Sequence, residues 1–512
     1  MILLIEPMSK NMDMYVPAYP LPLIEIASFV QSNMPEVDIN IVSMSMDYGL
    51  PLTKGGREQI YRELLDEISE IKPRGIGISC TAIAQAEETI HLCELIKDHD
   101  PDIFVFLGGY FPTIYYEEIF SRTQAVDLIV IGEGEVSALE IIKRLESGKN
   151  PMDENIPGLA WKKDGYVHLT KKRARFDLNN KALLNLELLR YPWAYDILPY
   201  AFSRGCPYHC NFCMEEFIRP VRKRVPSETI EKDLRNLSLH TKARTLLVSD
   251  ALFKSFDQFH LLRSMGIKVI FETRCDVLDP SIIPEIADVC GMLALGFESA
   301  SYSTLKRMGK VRDRDHYQYY VSNTFAIFKE AARNQIPVTI FMIAGYPGDT
   351  EKDLEKSLIF AKELSKNSDM GGHIFKVGEC RVYPKTKLYD LTVSLSDVVF
   401  DDDGVFGDNI VRQPSKNLDF ETVLAYMTEI FGLSNNTPKM QRTVLDMMPF
   451  FRLPAHALSD EMIPDMCFRA SNREIFDAQG KSLAAFRKLV PGLTKKYKKW
   501  LSAQRSHRTI QF

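Results

Sequence analysis

The stretch PYAFSRGCPYHCNFC, residues 199–213, joins a short strand-like run to a loop that contains three cysteines. The run PYAFS is a strand candidate. Cys206, Cys210 and Cys213 follow it at intervals of four and three residues, and Phe212 stands directly before the last of them. The whole chain of 512 residues has nine cysteines, so three within eight positions is a concentration that requires a chemical reason.

Three thiolates from one short loop can hold three corners of a cubane 4Fe-4S cluster, because cysteine thiolate is the usual protein ligand of these irons. The fourth iron is then left open. Zinc is the competing metal, but structural zinc sites normally take four ligands, usually from paired Cys-x-x-Cys knuckles. The sequence has no second knuckle. The pattern therefore favours an iron–sulfur cluster over zinc.

The cysteine loop begins a regular alternation of strand and helix patterns between about residues 198 and 385. The six strand candidates are PYAFS, TLLVSD, VIFETR, MLALGFES, VTIFMIAG and IFKVGECRV. Six strand-then-helix units predict a partial (β/α)6 TIM-like barrel, in which chemistry belongs to the carboxyl ends of the strands. The cysteine loop follows the first of these strands.

A separate alternation of strand and helix patterns fills the first 145 residues. Five strand candidates, ILLIE, INIVSM, GIGISC, FVFLGG and DLIVIGEGE, alternate with helical patterns. This order predicts an α/β fold with a doubly wound, Rossmann-like parallel sheet, whose ligands lie beyond the carboxyl ends of the strands. Glycine pairs in the loops at those ends let the backbone approach a ligand closely.

Four segments follow from these patterns: a Rossmann-like domain over 1–145, a linker over 146–196, the barrel over 197–395 and a mainly helical C-terminal segment over 396–512. The linker includes IPGLAWKKDGYVHL, which is typical of a small hairpin with a DG turn. The run DDDG marks the last boundary.

Composition indicates a globular protein without a general affinity for nucleic acid. The formal net charge is −5, whereas nucleic-acid binding relies on clustered positive charge. No apolar run approaches the roughly 20 residues of a membrane helix. The start MILLIEPMSK is predicted to be a strand rather than a signal peptide, so we expect a cytoplasmic protein. The isolated cysteines are predicted to be buried free thiols: Cys80, Cys93, Cys275, Cys290, Cys380 and Cys467.

The pattern C-x-x-x-C-x-aromatic-C after a barrel strand resembles the radical S-adenosylmethionine (radical SAM) superfamily. In that superfamily the open iron binds the amino and carboxylate groups of S-adenosylmethionine (SAM), and reduction yields a 5′-deoxyadenosyl radical. The resemblance implies that Phe212 lies along the adenine and that Asp250 contacts the methionyl amino group or its surroundings. It also implies SAM contacts at later strand ends, from Arg274, Glu298, Ser299 and Gly345. Each has a structural alternative, such as a helix cap for Asp250 or a salt bridge for Glu298.

The amino-terminal strand ends resemble the cobalamin-binding domain that precedes the barrel in one class of radical enzymes. The matching stretches are GISCTA at 77–82, LGGYFPT at 107–113 and IGEGE at 131–135. The resemblance implies cobalamin contacts from Asp47, Ser79, Thr81, Gly108, Gly109, Tyr110, Gly132, Glu133 and Gly134. Because the motif Asp-x-His-x-x-Gly is absent, it implies base-off binding without a histidine ligand. The alternative is a domain that has kept the fold and lost the cofactor.

Together these resemblances imply a cobalamin-dependent radical SAM methyltransferase. It would place a methyl group from methylcobalamin on an unactivated carbon, or on phosphorus, of a small-molecule or peptide substrate. A reducing electron donor such as flavodoxin or ferredoxin is expected as a partner, and no membrane span. The alternatives are a cyclase or ring-rearranging enzyme with the same cofactors, and a non-catalytic cobalamin or iron–sulfur sensor. Substrate and oligomeric state do not follow from the sequence.

Overall fold

The computed structural model describes residues 1–9, 19–48, 54–192, 195, 197–241, 243–366, 372–401 and 403–434. The chain divides into two compact units. Of the described residues, the first contains Met1–Tyr200 and Phe217–Ala243, and the second contains Ala201–Glu216 and those from Arg244 to Ser434. In these described ranges, no helix has the length and apolar character needed to cross a bilayer.

The first unit is built on a sheet whose five leading strands are parallel. They are β1 (Ile2–Glu6), β2 (Ile39–Ser43), β3 (Gly75–Ser79), β4 (Phe104–Gly108) and β5 (Leu128–Val130). Their order in the sheet is β2-β1-β3-β4-β5. Almost every residue of these strands is buried, as expected for a parallel sheet covered on both faces. The predicted doubly wound sheet is confirmed.

Helices follow the parallel strands, as the sequence periodicity predicted. They are α1 (Leu21–Asn33), α2 (Met44–Asp47), α3 (Lys54–Ile71), α4 (Ala86–His99), α5 (Tyr110–Arg122) and α6 (Glu135–Glu146). Each of the longer ones whose burial is described places an apolar stripe on the core; in α6 this stripe includes Ala138, Ile141 and Ile142.

The predicted hairpin is part of the same sheet. Strands β6 (Leu159–Lys163) and β7 (Tyr166–Leu169) pair antiparallel with each other, and β6 pairs antiparallel with β5. The turn residues Asp164 and Gly165 both have positive φ, +51° and +83°, as a two-residue type I′ turn requires. Residues 159–169 of the segment predicted as a linker therefore extend the sheet to seven strands.

A second large sheet has six strands in the order β15-β14-β13-β12-β11-β8, which confirms the predicted partial barrel. Its strands are β8 (Ile197–Tyr200), β11 (Thr245–Val248), β12 (Lys268–Arg274), β13 (Cys290–Glu298), β14 (Val338–Ala344) and β15 (His373–Glu379). The pairs from β11 to β15 are parallel. Two short strands, β9 (Ser203–Arg204) and β10 (Lys223–Arg224), lie between β8 and β11 in the chain.

Helices connect the barrel strands. They are α7 (Glu215–Ile218), α8 (Ser227–His240), α9 (Phe259–Ser264), α10 (Ile283–Ile286), α11 (Tyr302–Arg307), α12 (Arg314–Arg333) and α13 (Glu351–Ser365). Their starts follow local capping chemistry: the side chains of Ser301 and Asp313 accept hydrogen bonds from the first turns of α11 and α12.

After β15 the described chain adds α14 (Lys387–Ser394), an antiparallel pair β16 (Val399–Phe400) and β17 (Val411–Gln413), and α15 (Phe420–Gly432). The prediction of a mainly helical segment over 396–512 falls mostly outside the described residues.

Candidate functional site

The three cysteines lie in the loop between β9 and α7. Gly205, with φ +94°, turns the chain into this loop through a conformation that side chains disfavour. The N–H of Cys213 donates to the carbonyl oxygen of Cys210 at 3.0 Å, which closes a tight turn and brings these two cysteines together. Cys210 is buried, and the other two cysteines are partly exposed.

Asp250 fixes the start of the cysteine loop. Its buried carboxylate accepts hydrogen bonds from the backbone N–H groups of Phe202 at 2.7 Å and Ser203 at 3.1 Å, and from the hydroxyl of Ser203. Because Asp250 comes just after β11, a single carboxylate ties the end of one barrel strand to the entry of the loop.

Asn211 fixes the middle of the loop. Its backbone N–H donates to the carbonyl of Met308 at 2.9 Å, and its side-chain amide donates to the carbonyl of Arg307 at 2.6 Å. Its own carbonyl accepts from the N–H of Leu388 at 2.9 Å. These contacts hold the loop without involving the cysteine side chains.

A buried cation lies beside the middle cysteine. The Nη1 atom of Arg274 is 3.4 Å from the Sγ of Cys210, and the same guanidinium binds the carboxylate of Asp276 through two contacts of 2.9 Å. It also lies 4.0 Å from the ring centroid of Tyr208. Burial opposes the charged form, but the hydrogen bond and charge of Asp276 outweigh it and raise the pKa of Arg274. Arg274 is therefore a permanent positive charge at the loop.

Burial weakens the thiols of Cys206 and Cys213 as acids. Burial raises the pKa of Cys206, and it raises the pKa of Cys213 to about 11. Metal binding requires thiolates, whose gathered negative charge the neighbouring guanidinium of Arg274 partly compensates. Within the described ranges, no three His, Cys, Asp or Glu side chains converge closely enough to hold a single metal ion. The ligands of a 4Fe-4S cluster bind different irons, so the donor set and its cation fit such a cluster.

A second buried ion pair lies at the end of β13. The Nζ of Lys310 is 2.8 Å from the Oε1 of Glu298 and donates to the carbonyl of Gly296 at 3.0 Å. Glu298 has φ +69°, which is uncommon for a residue with a side chain, and the β13–β14 register shifts at this point. Lys310 also lies 6.0 Å from the ring centroid of Phe212 in the cysteine loop. The strand end is thus deformed where it faces the loop.

In the first unit, the order β2-β1-β3-β4-β5 creates a topological switch point between β1 and β3. Ligands of doubly wound sheets bind in the crevice at the carboxyl ends of such strands. Ser79 ends β3 and Thr81 follows it, where its N–H and hydroxyl donate to the side chain of Gln85 at 3.0 and 3.1 Å. Asp47, at the end of α2, accepts from the N–H of Ser43 at 2.9 Å.

Gly109 follows β4 and has φ +108°. A Cβ atom here would lie 2.4 Å from the carbonyl oxygen of Cys80. Only glycine allows β3 and β4 to end this close together. Gly132, after β5, has φ +90° and open space where a Cβ would point, while Gly134 comes directly before α6.

Two arginines from distant parts of the chain support the strand ends of the first unit. Arg175 pairs with Glu133 at 2.9 Å, and the carboxylate of Glu133 also accepts from the N–H of Phe176 at 2.9 Å. Arg219 donates to the hydroxyl of Tyr110 and lies 4.8 Å from its ring centroid. Glu133 and Tyr110, which were both predicted to contact cobalamin, are therefore held in place by side chains far from them in sequence.

Glu6, the last residue of β1, lies at the switch point. Its carboxylate accepts from the hydroxyl of Ser43 at 2.6 Å. Burial raises the pKa of Glu6 to about 7; the hydrogen bond from Ser43 opposes this shift, and the charge of Asp47 adds to it. Near neutral pH the carboxyl is therefore partly protonated.

Two family models match the chain in the regions just described. Residues 18–142 match the B12 binding domain, and residues 200–361 match the radical SAM superfamily. The chain carries a B12-binding domain and a radical SAM domain. The two matches confirm the cofactors predicted from the sequence: cobalamin for the first domain, and SAM with its cluster for the second.

Curated relatives include the anaerobic magnesium-protoporphyrin IX monomethyl ester cyclase of Rubrivivax gelatinosus, which is 25% identical over 60% of this chain and 57% of its own length. An uncharacterized methyltransferase of Pyrococcus horikoshii is 23% identical over 73% of this chain and 78% of its own. Among solved structures, the radical SAM methyltransferase TsrM of Kitasatospora setae, with cobalamin and a [4Fe-4S] cluster bound, has a TM-score of 0.64. It is 13% identical, covering 94% of this chain and 99% of that one, so the likeness concerns the fold.

The residues predicted to contact SAM fall into two groups in the radical SAM domain. Phe212, Arg274 and Glu298 lie at the cysteine loop or in the ion pair that faces it. The other three have different surroundings: Asp250 anchors the loop entry, the hydroxyl of Ser299 is 3.3 Å from that of Ser357, and a Cβ atom at Gly345 would lie 3.2 Å from Pro414 and Val423 of the C-terminal segment. SAM contact by any of the six stays a prediction.

The residues predicted to contact cobalamin all lie at or just after strand ends of the B12-binding domain. His91 packs edge-on against Tyr61, and the Nε2 of His99 is 2.7 Å from the hydroxyl of Ser69. Both histidines belong to α4, and binding without a histidine ligand stays a prediction.

Several residues of the site carry no sequence signal. Lys310, Asp276, Arg175 and Arg219 belong to no motif with a chemical role, and only their partners identify them. Glu6 is the exception. It ends a predicted strand at the end of the sheet where cobalamin was predicted to bind, so its position in the sequence could have identified it as a site residue.

Proposed function

We propose that this protein is a cobalamin-dependent radical SAM methyltransferase that acts on an unactivated carbon, or on phosphorus, of a small-molecule or peptide substrate. The observation that carries the proposal is the cysteine loop, held at the carboxyl end of the barrel strands with the guanidinium of Arg274 at 3.4 Å from Cys210. The preceding B12-binding domain and the relative described as a methyltransferase support the choice of reaction.

Cys206, Cys210 and Cys213 would bind three irons of a 4Fe-4S cluster, and Phe212, Arg274 and Glu298 would surround the SAM site. The glycine-rich strand ends of the B12-binding domain would hold cobalamin, with Gly109 and Tyr110 at the close approach. Together the bound groups would supply the hydrogen-atom abstraction and the methyl transfer.

The chain's own residues would bind the cofactors and hold them in one orientation. The guanidinium of Arg274 neutralises charge gathered at the loop, and Asp276 keeps that guanidinium in one orientation. Asp250 and Asn211 fix the loop backbone, so the three sulfurs are presented with little freedom.

A cyclase is the second candidate, because the relative from Rubrivivax gelatinosus is described as one. A cyclase would form 5′-deoxyadenosine without transferring a methyl group. S-adenosylhomocysteine formed in step with deoxyadenosine therefore separates methyl transfer from cyclisation.

The test begins with anaerobic reconstitution of the full chain with iron, sulfide and hydroxocobalamin, followed by desalting. The visible spectrum reports cluster and cobalamin, and incubation with SAM and a reductant reports deoxyadenosine. Cys210→Ala should lose the cluster spectrum and deoxyadenosine formation, whereas Cys290→Ala, at a buried thiol at the start of β13, should keep both. A cluster that survives in Cys210→Ala contradicts the ligand assignment, and a loaded protein that forms no deoxyadenosine points to a sensor.

A further inference from the structure

An apolar floor closes the interior of the barrel sheet near the amino ends of its strands. Ile270 and Met292 are buried together, and Leu247 and Ile374 pack against them. These four side chains come from β12, β13, β11 and β15. Strands β11 and β15 lie at opposite ends of the parallel strands β11 to β15, so their side chains can reach one cluster only if the sheet curls. The four side chains therefore lie on the concave face of the sheet.

Charged residues replace apolar ones in the next layer of the same face. Side chains alternate along a strand, so Glu272 shares the face of Ile270, and Lys376 shares the face of Ile374. Strands β12 and β15 are separated by β13 and β14 in the sheet. Because Ile374 packs against the same floor cluster that contains Ile270, the residues one layer above them, Lys376 and Glu272, face the same concave space.

Water reaches both of these charged groups. Protein nevertheless surrounds Glu272 closely enough that burial raises its pKa, while the charge of Lys376 lowers it and that of Glu298 raises it. Lys376 lies 5.3 Å from the ring centroid of Phe341. Among the described residues, neither Glu272 nor Lys376 has an ion-pair partner within 4.0 Å. Two charges are thus held inside a barrel without direct compensation.

The charged layer lies directly beneath the cysteine loop. Arg274 is two residues after Glu272 on the same strand face, and its Nη1 is 3.4 Å from the Sγ of Cys210. Gly378 is two residues after Lys376, and no atom lies within 4 Å of where its Cβ would be. The interior is therefore open between the apolar floor and the loop.

We infer that Glu272 and Lys376 bind opposite charges of one substrate, with an amine or other cationic nitrogen on Glu272 and a carboxylate or phosphate on Lys376. This inference rests on the proposed function and specifies its substrate class. Interior layers of parallel barrels are normally filled by branched aliphatic side chains. Water solvates both charges here, so a ligand that displaces this water must supply opposite charges in its place. A purely apolar substrate would remove water from both charges without replacing it, whereas a zwitterion would pair with each.

The test uses a homologous series of ω-aminocarboxylates, from 3-aminopropanoate to 6-aminohexanoate. Each is compared with three analogues of the same chain length: an amine and a carboxylate, which carry one charge, and an alcohol, which carries none. Binding to the reconstituted full chain is measured by ligand-observed NMR. The variants are Glu272→Gln, Lys376→Gln and the double exchange Glu272→Lys/Lys376→Glu. Matched controls on exposed helices of the same unit are Glu285→Gln and Lys329→Gln.

At least one aminocarboxylate should bind about tenfold more tightly than its singly charged and neutral analogues, because each charged contact contributes separately. Glu272→Gln should abolish the preference for the amine, Lys376→Gln should abolish the preference for the carboxylate, and the double exchange should restore binding of the zwitterion. The controls should behave like the wild type. Probes that bind equally with or without charge, variants that bind like the wild type, or a wild type that binds no probe would each overturn the inference.

Cluster content and deoxyadenosine formation are recorded on the same preparations. A wild-type protein with a cluster and deoxyadenosine formation, but without charge-dependent probe binding, refutes only the substrate subsite. A wild-type protein that assembles no cluster refutes the proposed function itself.

Discussion

Replacing Gly109 by alanine tests whether the close approach of β3 and β4 holds cobalamin. The added Cβ would lie 2.4 Å from the carbonyl oxygen of Cys80, whereas ordinary contacts begin at 3.4 Å, so the strand ends must separate by about 1 Å (3.4 minus 2.4). The N–H of Phe111 donates to that carbonyl at 3.3 Å, so the shift also disturbs the start of α5.

The cost has two parts. A side chain at the φ of +108° and ψ of −175° of Gly109, a conformation almost exclusive to glycine, costs about 1–3 kcal/mol, and overpacking against the backbone costs about 1–3 kcal/mol more. Gly148→Ala is the matched control, because Gly148 also has positive φ, +66°, in the same unit but has open space where a Cβ would point. Gly148→Ala should incur a positive-φ cost of similar size, about 1–2 kcal/mol, without the overpacking.

We therefore expect Gly109→Ala to bind cobalamin about 5- to 150-fold more weakly than Gly148→Ala, which is the second part of the cost expressed as affinity. The assay is an anaerobic titration with hydroxocobalamin followed by visible absorbance, with iron and sulfide analysis to show that the cluster is retained. Equal affinities of the two variants would refute the assignment of this edge as the cobalamin site. Loss of the cluster in Gly109→Ala would show that cluster assembly depends on this edge, which would contradict the prediction.

Two further predictions concern buried charges. The pKa of Glu6 is raised to about 7 from its ordinary value of 4.5, so the folded protein holds the proton between these values and its stability falls by up to about 3 kcal/mol as pH rises through that window. Glu6→Gln should remove this contribution from thermal unfolding curves recorded from about pH 5 to about pH 8, and a pH slope identical to the wild type would contradict it. Lys310→Met leaves the carboxylate of Glu298 buried without its cation, which should lower the free energy of unfolding by about 3–5 kcal/mol. The double variant Lys310→Met/Glu298→Gln should recover much of this loss in thermal unfolding, and a double variant no more stable than Lys310→Met would show that the charge of Glu298 is not the cause.

Most of the secondary structure was predictable because its signals are local. The strand candidate ILLIE is β1, Ile2–Glu6, and the other strand candidates of both halves also became strands. Hydrophobic periodicity is read within a dozen residues, and the burial of a covered parallel sheet enforces the same pattern. The hairpin was also visible from its DG turn, but its addition to the edge of the first sheet was not, because strand pairing depends on a neighbour elsewhere in the chain.

The sequence by itself determined the cysteine loop and the glycine-rich strand ends, since each is a short stretch whose spacing carries its chemistry. It did not determine which side chains meet around them. Arg274 lies 64 residues from Cys210, Arg219 lies 109 residues from Tyr110, and Glu272 and Lys376 come from strands that do not pair. Only the tertiary structure decides which of these residues are neighbours or share one interior face, because the order and curvature of the sheets, rather than separation along the chain, determine which strand ends and interior faces lie side by side.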